Sequence, residues 1–134
     1  MERPFLSVTS LTIGTDRPHD LAEFYAGLLG WRITADEPPV PGDPERGGWT
    51  QIAAPDGETG PTLNFEYERH FTPPIWPSVA GRQFASQHLD IWVHDLAAAE
   101  AWALARGARL ADTQPQATVR VMRDPSGHPF CLFT

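Results

Sequence analysis

Three side chains that could take part in binding or catalysis stand at every second position of the stretch HLDIWV. They are His88, Asp90 and Trp92. An imidazole and a carboxylate on one face of a strand can exchange protons with a ligand or hold a metal ion. Trp92 adds a flat aromatic surface on which a ligand can stack. A structural alternative stays open for each of them, in which Asp90 only holds a half-buried His88 and Trp92 fills a core or a dimer contact.

The elements around these residues are predicted by their periodicity and their capping residues. Strict alternation from His88 to Val93 is typical of a half-buried strand. Asp95 stands where an N-cap belongs, an alanine-rich helix follows, and Gly107 ends that helix. The apolar face of the strand is expected to pack on the helix, which leaves His88, Asp90 and Trp92 on the opposite face.

The first half of the chain repeats this order of elements. A strand over residues 6–15 precedes a helix over residues 21–29 with Asp20 as its expected N-cap, and Gly30 ends the helix. A loop at residues 36–48 and two further strands complete the unit. The pattern predicts an α+β fold of two βαβββ modules, at about residues 5–68 and 86–134, joined by a proline-rich connector at residues 69–85.

Two such modules laid together form an open, incomplete barrel with a concave site. The repeat places one residue from the first strand and one from the last strand of each module at its centre. These four residues are Val8, Asn64, His88 and Cys131. The residues expected around them are Ser10, Thr12, Glu66, Asp90 and Trp92, with Trp76 of the connector as a lid.

Composition excludes several classes of protein. The chain has 134 residues, 41% of them hydrophobic, which favours one folded domain over disorder. Its formal net charge of −7 argues against nucleic acid as a partner, because phosphate binding needs a basic surface. No apolar run is long enough to cross a bilayer, and no signal peptide is apparent. A single cysteine, Cys131, favours the reducing cytoplasm.

Four segments together resemble the vicinal oxygen chelate superfamily, which holds glyoxalase I, bleomycin-resistance proteins and extradiol dioxygenases. The segments are LAEFYAGLLGW, PPIWP, HLDIWVHDLAAAE and DPSGHPFCL. The chain is most similar to the short glyoxalase-like proteins of that group. The resemblance implies paired βαβββ modules, a homodimer and, in many members, a divalent metal on the concave face.

The metal ligands implied by this resemblance are poor ones in this chain. The family positions correspond to Val8, Asn64, His88 and Cys131, and only His88 is a usual ligand there. Valine cannot ligate, a neutral amide is a weak ligand, and a His/Cys pair leaves a catalytic site one protein ligand short. The sequence therefore favours no cofactor. A divalent metal would need His88, with Asp90 or Glu66 supplying the missing ligand.

Three functional hypotheses follow from the sequence. The first is a binding protein for a planar or cationic small molecule, such as an antibiotic sequestered as bleomycin-resistance proteins do. Its expected ligand-binding residues are Ser10, Thr12, Asn64, Trp76, Trp92 and Cys131. The second is a metal-assisted lyase, isomerase or dioxygenase in which His88, Asp90 and Glu66 act as acid and base. The third is a non-catalytic dimeric interaction module.

Overall fold

The computed structural model describes all of residues 1–134, which divide into two compact units. Unit 1 comprises Met1–Arg69 and unit 2 comprises His70–Thr134. The proline-rich connector therefore lies almost wholly in unit 2. Neither helix has the length and apolar character that a membrane span requires.

Unit 1 contains a four-stranded mixed sheet and one helix. In chain order its elements are β1 (Ser10–Thr15), α1 (Pro18–Leu29), β2 (Arg32–Glu37), β3 (Trp49–Ala53) and β4 (Thr62–Tyr67). The strand order is β1-β4-β3-β2. The first and last strands of the unit, β1 and β4, pair in parallel, and the other neighbouring strands are antiparallel.

Unit 2 repeats this arrangement. Its elements are β5 (Leu89–Trp92), α2 (Leu96–Ala105), β6 (Arg109–Leu110), β7 (Val119–Arg123) and β8 (Pro129–Phe133). The strand order β5-β8-β7-β6 has the same parallel and antiparallel pairs as unit 1. The predicted α+β fold with two βαβββ modules is confirmed, and neither sheet closes into a barrel.

The core of unit 1 lies between α1 and one face of its sheet. Tyr25 of α1 stacks on Phe65 of β4, with ring centroids 5.5 Å apart, and both side chains are fully buried. Leu21, Ile52 and Leu63 are buried beside them. Because side chains alternate along β4, Thr62, Asn64 and Glu66 point to the face opposite α1.

The core of unit 2 is built in the same way, with smaller helix residues. Phe130 and Leu132 of β8 are buried, as is Ala103 of α2. Arg120, the register partner of Leu132, donates to Glu100 of α2 at 2.8 Å, so this side of the sheet faces the helix. Cys131 and Phe133 therefore point to the face opposite α2, which we call the open face of unit 2.

The predicted cap of α2 is confirmed, whereas the predicted start of α1 is wrong. The Asp95 carboxylate accepts a hydrogen bond of 2.9 Å from the Ala98 amide. In unit 1 the helix begins at Pro18 and not after Asp20. Proline suits the first helical position, because its ring fixes φ near the helical value and the missing amide would have no partner there.

Two predicted strand boundaries in unit 1 also change. β1 begins at Ser10 and not at Leu6, because its partner β4 begins at Thr62, the register partner of Ser10. Residues before Thr9 have no neighbouring strand to hydrogen-bond. β2 extends to Glu37, so Asp36 and Glu37 belong to a strand and not to the predicted loop at residues 36–48.

Candidate functional site

The open face of unit 2 carries the residues that the sequence singled out. β5 and β8 run in parallel, and their register pairs Asp90 with Cys131 and Trp92 with Phe133. Residues that pair in register point to the same face of a sheet. The strands thus place a carboxylate, a thiol and two aromatic rings side by side on the face opposite α2.

Asp90 links His88 and Cys131 into one cluster. The Nε2 atom of His88 lies 3.1 Å from Oδ1 of Asp90. One ligand atom from each of His88, Asp90 and Cys131 lies within 4.8 Å of the other two. Burial, the nearby Asp90 charge and a hydrogen bond to Asp90 all raise the pKa of the Cys131 thiol. At neutral pH Cys131 is therefore a protonated donor, and Asp90 is its acceptor.

Trp92 is unusually exposed for an aromatic residue in a strand. Its exposed fraction is 58%. The imidazole of His94 contacts its ring edge to face, with centroids 4.4 Å apart. His94 therefore supports the indole ring while much of the ring surface stays open to solvent. An open ring two residues from Asp90 offers both stacking and a negative charge to a ligand.

The corresponding face of unit 1 carries a row of polar side chains. Thr34 donates to Gln51 at 3.0 Å, and Gln51 donates to Asn64 at 2.8 Å, so the row crosses β2, β3 and β4. Thr12 is the register partner of Asn64, and Ser10 bonds to the Thr62 hydroxyl at 2.7 Å. The predicted residues Ser10, Thr12 and Asn64 thus share one sheet face.

The remaining predicted residues are Val8, Glu66 and Trp76. Val8 is 84% exposed and precedes β1, so it lies outside the strand to which the sequence assigned it. Glu66 follows Asn64 by two residues on β4 and shares its sheet face, and it lines a small cleft of about 220 Å³ together with Trp49 and Tyr67. Trp76 is half-buried, and its carbonyl accepts a hydrogen bond of 2.7 Å from Arg123. The concave site that would combine residues of both modules stays a prediction.

The sequence matches the family model of a glyoxalase-like domain over residues 10–133, nearly the whole chain. The chain belongs to the glyoxalase-like domain family. Similar solved structures carry related names, which agrees with the resemblance to the vicinal oxygen chelate superfamily. No curated protein sequence matches this glyoxalase-like domain.

Three of the similar solved structures cover nearly the whole domain. TnmS3, an antibiotic binding protein from Streptomyces sp. CB03234, is 21% identical, with a TM-score of 0.58 and coverage of 98% of both chains. A glyoxalase family protein from Enterococcus faecalis is 17% identical, with a TM-score of 0.66 and coverage of 97% of this chain and 98% of the other. A glyoxalase/bleomycin resistance protein/dioxygenase family enzyme from Burkholderia phytofirmans PsJN is 15% identical, with a TM-score of 0.64 and coverage of 92% and 94%.

Members of this superfamily commonly hold a divalent metal, and the His88–Asp90–Cys131 cluster has donors of suitable types. Imidazole, carboxylate and thiolate all bind zinc, and catalytic zinc sites use three protein ligands. Of the two residues that the sequence offered as a further ligand, Asp90 and Glu66, it is Asp90 that lies in this cluster, beside His88 and Cys131. The raised pKa of Cys131 opposes the thiolate that a metal requires, so the cluster is not preset for an ion.

Sequence reasoning missed Thr34, Gln51 and Thr62 as members of the polar row in unit 1. Thr34 lies in a strand whose second half was read as loop, which hid its place in the sheet. Gln51 and Thr62 lie in strands that the sequence did predict. Alternation along those strands could have placed both on the same face as Asn64.

Proposed function

We propose that this protein binds and sequesters a small planar organic molecule on the open face of unit 2, as bleomycin-resistance proteins do with antibiotics. The observation that carries the proposal is the exposed ring of Trp92 beside the Asp90 carboxylate on one strand face. An indole binds flat apolar groups by stacking, and a carboxylate selects for positive charge. The ligand is therefore a planar molecule with a cationic group.

Further observations support this proposal. The formal net charge of −7 attracts cations to the protein and repels anions. TnmS3, which has the same fold, is an antibiotic binding protein. Asp90, already hydrogen-bonded to His88 and Cys131, is held in place for a ligand and loses little side-chain freedom on binding. A homodimer and a cytoplasmic location remain predictions of the resemblance and of the single cysteine.

The test is a titration of the purified full chain with two probes, bleomycin and the planar aromatic cation proflavine. Quenching of tryptophan fluorescence reports binding, and mass spectrometry of the recovered probe reports any chemical change. Saturable binding with unchanged probe supports sequestration. Binding that persists undiminished in Trp92→Ala, or no binding of either probe, would contradict the proposal for this face.

The His88–Asp90–Cys131 cluster favours a second candidate, a metal-assisted lyase or isomerase. A divalent ion held by these three residues would act as a Lewis acid on a carbonyl or hydroxyl oxygen of the substrate. Elemental analysis of the untagged protein tests this candidate, since near-stoichiometric zinc, nickel or iron would favour it over sequestration.

A further inference from the structure

Unit 1 has a separate concave feature on the α1 side of its sheet. It is an open groove of about 600 Å³ between the first turn of α1 and the loop at residues 38–48. Sites for small organic molecules commonly measure roughly 300–1,000 Å³. Thr50 pairs in register with Phe65, and its side chain lies in the wall of the groove. The sheet therefore separates this groove from the polar row that contains Asn64.

The charges that line this groove are mostly negative. Its carboxylates belong to Asp16, Asp20, Asp36, Glu37 and Asp43. The basic groups that line the groove are one guanidinium, Arg17, and one imidazole, His19. The Arg17 Nε atom lies 3.7 Å from Asp16, which already balances part of its charge. The start of α1 adds a partial positive charge of only about 0.5, so the groove, which we call the acidic groove, attracts cations.

Two of these carboxylates keep oxygens for a ligand. The Asp20 side chain has no hydrogen-bond or ion-pair partner within the chain. Asp36 uses a single oxygen, Oδ1, to accept from both His19 Nδ1 at 3.0 Å and Thr50 Oγ1 at 2.7 Å. The second oxygen of Asp36 has no partner in the chain. These contacts fix the orientation of Asp36 before any ligand arrives, which lowers the entropic cost of binding.

The rest of the acidic groove is mostly apolar, and its loop is held by packing on Tyr67 and by a backbone hydrogen bond. Four proline rings line it together with Tyr67; the prolines are Pro18, Pro38, Pro39 and Pro44. A side chain at Gly47 would collide with the Tyr67 ring, so the loop packs directly on that ring. Within the loop, the Val40 amide donates to the Arg46 carbonyl at 2.8 Å. Proline and tyrosine rings offer an apolar body a rigid surface at little entropic cost.

We propose that the acidic groove binds a small organic cation, with an amidinium, guanidinium or ammonium head on an apolar body. The head pairs with the carboxylates of Asp20 and Asp36, and the body lies on Tyr67 and the prolines. The groove belongs to unit 1 alone and does not involve Trp92, His88 or any other residue of the open face of unit 2. The proposal is therefore independent of sequestration at Trp92.

The experiment uses benzamidine as the probe and neutral benzamide, of the same shape, as its control. Both are titrated into the ¹⁵N-labelled full chain, and amide chemical shifts are followed. We expect benzamidine to shift saturably the amides of residues 16–20 and 36–50, and benzamide to leave them in place. Equal responses to the two probes, or benzamidine shifts confined to unit 2, would overturn the proposal.

Three variants identify the carboxylates that hold the cation. Asp20→Asn should weaken benzamidine binding about fivefold, because it removes a carboxylate that has no structural partner. Asp36→Asn should weaken it at least as much, and Asp20→Asn keeps the test valid if Asp36→Asn fails to fold. Glu58→Gln removes an equal charge from an exposed turn outside the groove and should change nothing. A fivefold loss in Glu58→Gln would show that net charge, and not the acidic groove, attracts the probe.

Discussion

His19 Nδ1 lies 3.0 Å from Asp36 Oδ1, and this contact joins the first turn of α1 to the end of β2. The two residues are 17 positions apart, and the same Asp36 oxygen accepts from Thr50 of β3. Asp36 therefore connects a helix and two strands on the α1 side of unit 1. The sequence had placed Asp36 in the predicted loop at residues 36–48.

The His19–Asp36 contact should make the stability of unit 1 depend on pH. The hydrogen bond to Asp36 raises the pKa of His19 above its ordinary value of 6.5. Hydrogen bonds from His19 and Thr50 lower the pKa of Asp36 below its ordinary value of 3.8. A raised histidine pKa stabilises the fold fully below pH 6.5, and this stabilisation is lost as the pH rises through the folded value.

The stabilisation contributed by the Asp36 carboxylate depends on pH in the opposite direction from that of His19. A lowered pKa at Asp36 stabilises the fold fully above pH 3.8, and this stabilisation is lost as the pH falls through the folded value. Urea denaturation of the wild type and of His19→Ala should therefore differ most in the mildly acidic range between the two titrations. His70→Ala, which removes an exposed histidine of unit 2, is the control and should show no such maximum. A difference that is flat with pH would contradict this account.

Trp92→Ala should weaken binding of proflavine about tenfold, since it removes the stacking surface beside Asp90. The matched control is Trp102→Ala. Trp102 is also half-exposed but lies on α2, where the Arg106 guanidinium covers its ring. Isothermal titration calorimetry measures both affinities. Equal losses in the two variants would indicate unspecific contact with exposed tryptophans and would remove the open face as the site.

His88→Ala separates the sequestration hypothesis from the metal-assisted one. The His88 side chain is 46% exposed, so its loss should change the melting temperature by no more than about 2 °C. If a metal binds, the variant should lose any stabilisation by zinc or nickel that the wild type shows, because two protein ligands remain. Differential scanning fluorimetry with and without each metal provides the measurement. An undiminished metal shift in the variant would exclude the cluster as the metal site.

Asp95→Ala should destabilise unit 2 by about 1 kcal/mol, because the Ala98 amide loses the acceptor that caps α2. Asp112→Ala removes an exposed carboxylate beyond β6 and should leave stability within about 0.5 kcal/mol of the wild type. Chemical denaturation of the two variants gives the comparison. Equal stabilities of the two variants would show that the helix end is held by packing and not by the Asp95 cap.

Much of the architecture could be predicted from local patterns. The βαβββ repeat follows from alternation in the strands, from the Asp95 cap and from the glycines after each helix, because these signals depend on neighbouring residues only. The same alternation assigned Asp90, Trp92 and Cys131 to one face of unit 2, and their register bears this out. Family membership, predicted from four segments, is confirmed by the match over residues 10–133.

Tertiary structure decided what those patterns could not. Val8 alternates in phase with Ser10 and Thr12 but lies outside β1, because a strand ends where its partner in the sheet ends. Asp36 became a strand residue through pairing with Thr50, which is distant in sequence. The meeting of His88, Asp90 and Cys131, and the grouping of five carboxylates in the acidic groove, depend on side-chain reach and on chain crossings. Periodicity reports which face a residue occupies, whereas only the packed chain determines which side chains on that face touch.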